Sequence, residues 1–217
     1  MKLIGIDDAG RGPVLGPMVL AGILIEDSEQ SKLAEQGAKD SKLLTPTKRK
    51  ILGNKFKQEY KHHIEISKPI EIDESTNLND LEAIKTAMII NKLANETTEE
   101  ITAIIDCPSV NTETWGNFVK NLIKDKDRIT IKAEHKADFN HPVVSAASII
   151  AKEKREEEML KLRIELKQDF GSGYPADPKT KEFIKKNYDN EKFKSIIRHS
   201  WSTVKKLKKA KAQETLF

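Results

Sequence analysis

Met1 to Pro17, MKLIGIDDAGRGPVLGP, constrains the rest of the chain more than any other stretch. A short apolar run, Leu3, Ile4 and Ile6, breaks into two adjacent carboxylates, Asp7 and Asp8, and Gly10-Arg11-Gly12-Pro13 follows at once. An apolar segment ending in consecutive acids reads as a buried strand that delivers charge at its mouth. Neighbouring strand side chains point to opposite faces, so a site shared by Asp7 and Asp8 needs a twist or bend where the strand ends. The flanking glycines allow such a bend. Lacking Cβ atoms, Gly10 and Gly12 also let the backbone approach a ligand closely, and Arg11 between them offers a charged donor. Taken alone, the same residues also describe a polar hairpin turn.

A chain of 217 residues is long enough for one well-buried core, or one core with a small appendage. No window reaches the apolar length of a membrane span. The acids at residues 7 and 8 interrupt the opening apolar run, which argues against a secretory leader and for a cytoplasmic protein. The single cysteine, Cys107, excludes an internal disulfide and a thiolate metal cluster, and its place after a strand-like run reads as a small buried thiol. The net charge of +4 is modest, but its distribution is uneven: eight Lys or Arg and no acid lie between Lys192 and Gln213. Such a run is either a solvated helix face or a surface for phosphates.

Val14 to Ile25 is again apolar and β-branched, a second strand paired with the first as a hairpin. Asp27 to Lys42 is a polar connection with room for a short helix. Thr45-Pro46 starts a helix by cap and proline, running to about Tyr60. His62 to Ile66 alternates as a third strand, which puts His62 and His63 on opposite faces and argues against a shared metal. Asn79 with Glu82 reads as a capping-box variant for a helix through about Ala94. Ile101 to Ile105 is a compact strand ending in Asp106. Asn111 to Lys124 reads as helix, Arg128 to Ala133 as a last strand, and Pro142 opens a long helix. Its first turns carry Ser145, Ala146, Ala147 and Ser148 for close packing on a sheet, and its later turns, Lys152 to Lys167, are charged enough to project outward. Asp177-Pro178 starts another helix, and the last spans roughly Ser202 to Ala212. This order predicts an α/β fold: a mixed five-stranded sheet flanked by helices on both faces, with a C-terminal helical extension.

Asp7-Asp8, Asp106 and Asp138 all fall at or just beyond apolar strands. Strand ends of an open α/β sheet converge on one rim, where ligands bind. Four carboxylates gathered there repel unless a cation lies between them. Oxygen ligands without cysteine favour Mg²⁺ or Mn²⁺, and a paired-cation site clamps both oxygens of a phosphodiester displacement. Singly, each of these acids reads first as a helix cap or a turn residue; it is the set that points to a site.

Several blocks together resemble the signature of type 2 ribonuclease H (ribonuclease HII), especially its archaeal forms. They are Asp7-Asp8-Ala9-Gly10-Arg11-Gly12-Pro13 with Gly16-Pro17-Met18-Val19, Asp40-Ser41-Lys42, His135-Lys136-Ala137-Asp138 followed by Pro142 to Ser148, and Gly171-Ser172-Gly173-Tyr174-Pro175. The resemblance implies a ribonuclease H-like fold, with a catalytic domain over residues 1–170, a helical substrate-binding extension over 171–212 and a tail over 213–217. It implies that Asp7, Asp8, Asp106 and Asp138 are the catalytic, metal-binding carboxylates. It further implies that Gly10, Arg11 and Gly12 read a ribonucleotide's 2′-hydroxyl, that Tyr174 packs on the next sugar, and that Lys42 lies near phosphate. The implied activity is two-metal hydrolysis, with Mg²⁺ or Mn²⁺, of RNA in RNA/DNA hybrids and 5′ of single ribonucleotides in DNA, leaving 5′-phosphate and 3′-hydroxyl ends. In replication and repair this removes RNA primers and misincorporated ribonucleotides. The chain departs from the family at Asp8, where Glu is usual; one methylene less shortens the reach by about 1.5 Å. Finally, Gln213-Glu214-Thr215-Leu216-Phe217 resembles a shortened motif for the replication sliding clamp, carried by Gln213, Leu216 and Phe217 without the second aromatic. With no coiled-coil segment, the expected state is a monomer.

Overall fold

The computed structural model describes residues 1–38 and 44–214, with side chains through residue 213. Asp40, Ser41 and Lys42, and with them the expectation of a phosphate-side lysine, lie outside the described residues, as do Leu216 and Phe217. The chain opens with β1 (Lys2–Ala9) and β2 (Met18–Glu26), then a 3-10 turn (Asp27–Glu29), α1 (Gln30–Glu35) and α2 (Pro46–Glu59). β3 (Lys61–Ser67), α3 (Pro69–Glu74), α4 (Leu78–Ala94), β4 (Ile101–Asp106), α5 (Thr112–Leu122) and β5 (Ile129–Glu134) follow. The C-terminal part holds α6 (Ala137–Asn140), α7 (Pro142–Leu166), α8 (Pro178–Asn187), a 3-10 stretch (Glu191–Ile196) and α9 (Ser202–Glu214). No helix among the described residues is long and apolar enough to cross a membrane.

The expected mixed sheet is present, with strand order β3-β2-β1-β4-β5. β1 runs antiparallel to β2 and parallel to β4, and β4 runs parallel to β5. Two glycines show which helix covers which face. A Cβ on Gly5 would stand 2.4 Å from the Val143 backbone at the start of α7, and one on Gly22 would stand 2.3 Å from Ile89 of α4. Gly5 lies opposite Ile23 and Gly22 opposite Ile6, so the two missing side chains point to opposite faces. Helices α7 and α4 therefore cover opposite faces, and α7 packs so closely that its first turns need Ala146 and Ala147, both fully buried.

The helix starts follow their caps. Thr45 accepts from the Lys48 amide, Asn111 from the Thr114 amide and Asp177 from the Lys179 amide. One expected cap is displaced. Asn77, not Asn79, caps α4, its Oδ1 accepting from the Asn79 amide at 2.9 Å. Glu82 is buried and lines a cavity with Asp8, Leu20 and Trp115. The middle of α7 also departs from expectation, since Glu153, Arg155 and Met159 are buried rather than projecting. Glu153 is drawn in by Lys57, whose Nζ stands 2.7 Å from Oε2.

By packing, the chain divides into two units. The first comprises Met1–Ala9, Val19–Glu65 and Asn77–Lys154 and contains nearly all of the sheet with α4, α5 and the start of α7. Leu3, Ile4, Ile6, Ile23, Ile89, Ile90, Ile104, Val143 and Ile150 form its core. The second comprises Gly10–Met18, Ile66–Thr76 and the chain from Arg155 onward. Its core gathers Val14, Leu15, Met159, Phe170, Phe183, Phe193 and Ile197, with the Phe183 and Phe193 rings edge-to-face at 4.9 Å. Segment Val14–Gly16 is bonded from two directions. The Val14 amide donates to the Gly173 carbonyl at 2.8 Å, the Gly16 amide to that of Ile196 at 2.8 Å, and the Arg198 amide to that of Val14 at 2.9 Å.

Candidate active site

Strand parity places the acids of the first unit. Asp7, two residues beyond Gly5, shares the α7 face; Asp8, two beyond Ile6, shares the α4 face. Ile105 lies opposite Ile6, so the next residue, Asp106, falls on the face of Asp7. All three acids nevertheless line one small cavity where β1 and β4 end, together with Glu82, Thr86 and Trp115. No sharp bend joins Asp7 to Asp8. β1 continues to Ala9, and the Asp8 amide donates to Asp7 Oδ1 at 2.7 Å.

Asp7 is only 6 % exposed. Burial, and then the neighbouring Asp8, push its carboxyl well above the usual carboxylate range; Asp106 acts in the same direction, while the Ser148 hydroxyl and Lys152 of α7 oppose it. Asp106 accepts from the Ala137 amide at 2.9 Å, which fixes the start of the short helix α6 against the end of β4. Asp138, the next residue, is buried but does not line the cavity shared by the other three. Among the described residues, no group of three or more carboxylate, imidazole or thiol side chains is disposed to hold a metal ion by itself. The donor chemistry still fits Mg²⁺ or Mn²⁺. A buried acid crowded by two others calls for positive charge, and a hard cation of this size keeps waters and relies on one or two carboxylates plus substrate phosphate, not on an all-protein cage.

The Gly-Arg-Gly loop and Tyr174 both belong to the second unit. Gly10 has φ +90, and a Cβ there would stand 2.3 Å from the Arg155 guanidinium, so glycine is required twice over. Gly12 differs: a Cβ would meet only the Tyr174 ring, at 3.8 Å. Among the described residues nothing demands a glycine at that position, and the bare Cα leaves space beside the ring. Tyr174 is exposed and rests on Arg155, whose guanidinium carbon lies 5.3 Å from the ring centroid.

Sequence reasoning missed the residues that hold this loop. Arg198 is completely buried, and its guanidinium donates to the carbonyls of Gly16 at 2.9 Å, Arg11 at 3.0 Å and Gly10 at 2.7 Å. The Trp201 indole donates to the Gly12 carbonyl at 3.0 Å and carries the Arg198 guanidinium 4.8 Å from its ring. Within a run of eight basic residues nothing sets Arg198 apart. The available signal is tryptophan: the chain has two, of which Trp115 lines the carboxylate cavity and donates to the Asn79 carbonyl at 3.0 Å, while Trp201 donates to that of Gly12.

A mixed sheet in this order, with acids at the ends of adjacent strands β1 and β4 and a further acid after β5, defines a ribonuclease H-like hydrolase. Comparison with known proteins narrows this. The sequence matches the Ribonuclease HII family over residues 4–204. Ribonuclease HII of Pyrococcus furiosus is 41% identical over 225 residues, covering 100% of this chain and 97% of the relative. The crystal structure of ribonuclease H2 from Pyrococcus horikoshii superposes with a TM-score of 0.83 at 36% identity, covering 97% of this chain and 98% of that one. Ribonuclease HII in the PCNA:RNase HII complex from Archaeoglobus fulgidus superposes at 0.82 with 35% identity, covering 94% and 96%. The chain belongs to the ribonuclease HII family, whose members cleave RNA in RNA/DNA hybrids, and it is an endoribonuclease.

Proposed function

We propose that this protein hydrolyses the RNA strand of RNA/DNA hybrids and incises 5′ of ribonucleotides embedded in duplex DNA, leaving 5′-phosphate and 3′-hydroxyl ends. The observation that carries the reading is the buried carboxyl of Asp7, crowded by Asp8 and Asp106 in one cavity. Asp7, Asp8, Asp106 and Asp138 are the proposed metal-binding set. These four residues would hold Mg²⁺ or Mn²⁺, and a pair of such cations, when bound, would supply an activated water and stabilise the leaving 3′ oxygen. The chain's own groups do the rest. Ser148 and Lys152 temper the charge on Asp7, and the Ala137 amide orients Asp106. Gly10, Arg11 and Gly12 read the 2′-hydroxyl that separates RNA from DNA. Tyr174 packs on the following sugar, with the space beside Gly12 supporting that placement. Lys42 is assigned to phosphate on the family resemblance alone.

The test is cleavage of a DNA duplex carrying one ribonucleotide, with and without Mg²⁺. Metal-dependent incision on its 5′ side is expected; binding without cleavage in Mg²⁺ and Mn²⁺ alike overturns the reading. We further propose a cytoplasmic monomer that docks on the replication sliding clamp through Gln213, Leu216 and Phe217. The PCNA complex of the A. fulgidus enzyme supports this, as does Gln213 at the exposed end of α9. Clamp pull-down should be lost when residues 213–217 are removed, and equal retention overturns it.

A further inference from the structure

The loop from Gly10 to Gly16 receives donors from a segment far away in sequence. Arg198 supplies three, to the carbonyls of Gly10, Arg11 and Gly16, and Trp201 a fourth, to that of Gly12. The donors are themselves anchored. Asp73, on α3, accepts from the His199 amide at 2.7 Å, the Ser200 amide at 2.8 Å and the Ser200 hydroxyl at 2.5 Å, fixing the two residues that separate Arg198 from Trp201.

Peptide planarity turns these bonds into a statement about direction. In a trans peptide the C=O of one residue and the N–H of the next point to opposite sides, and no peptide bond in the described chain is cis. With the Gly10 and Arg11 carbonyls drawn to Arg198, the amides of Arg11 and Gly12 must point away from it. A completely buried guanidinium is costly to desolvate, and its five donors in a fixed fork suit several carbonyls at once, which an ammonium cannot match. We infer that Arg198 and Trp201 are positioning residues that set the polarity of the Gly-Arg-Gly loop, turning the Gly12 amide outward to donate to the ribose hydroxyl of the substrate.

This inference rests on the reading of the loop as the 2′-hydroxyl sensor, and its test separates the two. Binding of a DNA duplex with one ribonucleotide, and of the same duplex all in DNA, is measured by fluorescence anisotropy in metal-free buffer, beside a melting curve for each variant. Trp201→Phe keeps the ring and removes one hydrogen bond; its preference for the ribonucleotide duplex should fall about fivefold. Arg198→Lys keeps the charge but not the fork, and the fall should exceed about tenfold. Affinity for the all-DNA duplex should stay at the wild-type value in both, whereas simple loss of structure would weaken both duplexes together. If Arg198→Lys does not fold, Trp201→Phe decides. Wild-type preference in these variants, with preference lost in Gly12→Ala, overturns the inference and leaves the loop reading standing. Preference that survives Gly12→Ala as well overturns both.

Discussion

The carboxylate cavity and the Gly-Arg-Gly loop are built on opposite principles. The acids of the first unit are placed by strand register, so residues within the β1–β4 pairing fix where Asp7, Asp8 and Asp106 fall. The cavity is destabilising by construction, with buried like charges raising the Asp7 carboxyl. The loop of the second unit is the reverse. It has little register of its own and is held by bonds from residues 182 to 189 positions away, most of its carbonyls satisfied. One region stores electrostatic tension and the other spends hydrogen bonds to stay still. Such tension is what a bound cation would relieve, and such stillness is what a preorganised backbone requires.

Substitutions can break this contrast. Asp7→Asn should lower turnover of a ribonucleotide-containing duplex by about a thousandfold or more, the scale expected when an electrostatic group of the site is lost. In metal-free buffer at neutral pH the same variant should melt a few degrees higher, because a buried, crowded charge is gone. An unchanged or lower melting temperature would show that Asp7 carries no tension. Next in size, Asp8→Asn should reduce cleavage by about a hundredfold, and Asp8→Glu, restoring the family's usual length, should change the ratio of Mg²⁺- to Mn²⁺-supported rates. A ratio identical to wild type would separate Asp8 from the metal. Gly12→Ala should cut cleavage at a single ribonucleotide by about tenfold while leaving the melting temperature alone, since its Cβ meets only Tyr174 at 3.8 Å.

The pH dependence sharpens the comparison further. Asp7 has its folded value raised above the unfolded one, so the folded state binds the proton more tightly. Its contribution is fully present below the ordinary carboxylate value of 3.8 and is lost as pH rises through the folded value. Metal-free stability should therefore decline with rising pH over that window, and the decline should vanish in Asp7→Asn. Asp177 in the second unit behaves oppositely. The Ser172 backbone amide first, then the Ser172 hydroxyl and the Lys179 and Thr180 amides, hold it down to about 2. Its contribution is present above 3.8 and is lost as pH falls toward about 2. Asp177→Ala, the smallest effect, should lower the melting temperature slightly at neutral pH and leave no difference from wild type below pH 2, measured by thermal melts across the range.

What was legible in the sequence follows the same division. Strand ends, caps and prolines are local signals, and they located all five strands, the starts of α2 and α8 and the three cavity acids. Asn77 took the α4 cap from Asn79 because an asparagine two residues earlier offered the same chemistry about half a turn sooner. Glu153 and Arg155 read as outward charge because periodicity cannot see a Lys57 ninety-six residues away or a tyrosine ring waiting on another segment. Arg198 was hidden for the same reason, its three partners all lying near the other end of the chain.

That distance bears on the order in which the protein is made. Residues 10 to 16 leave the ribosome before Arg198 and Trp201, whose carbonyl partners in the loop lie 182 to 189 residues earlier in the chain. Until then the loop lacks the four donors that orient it. A nascent chain, or a fragment cut before residue 198, carries its acids before its loop can be held, so the two regions come to order at different times.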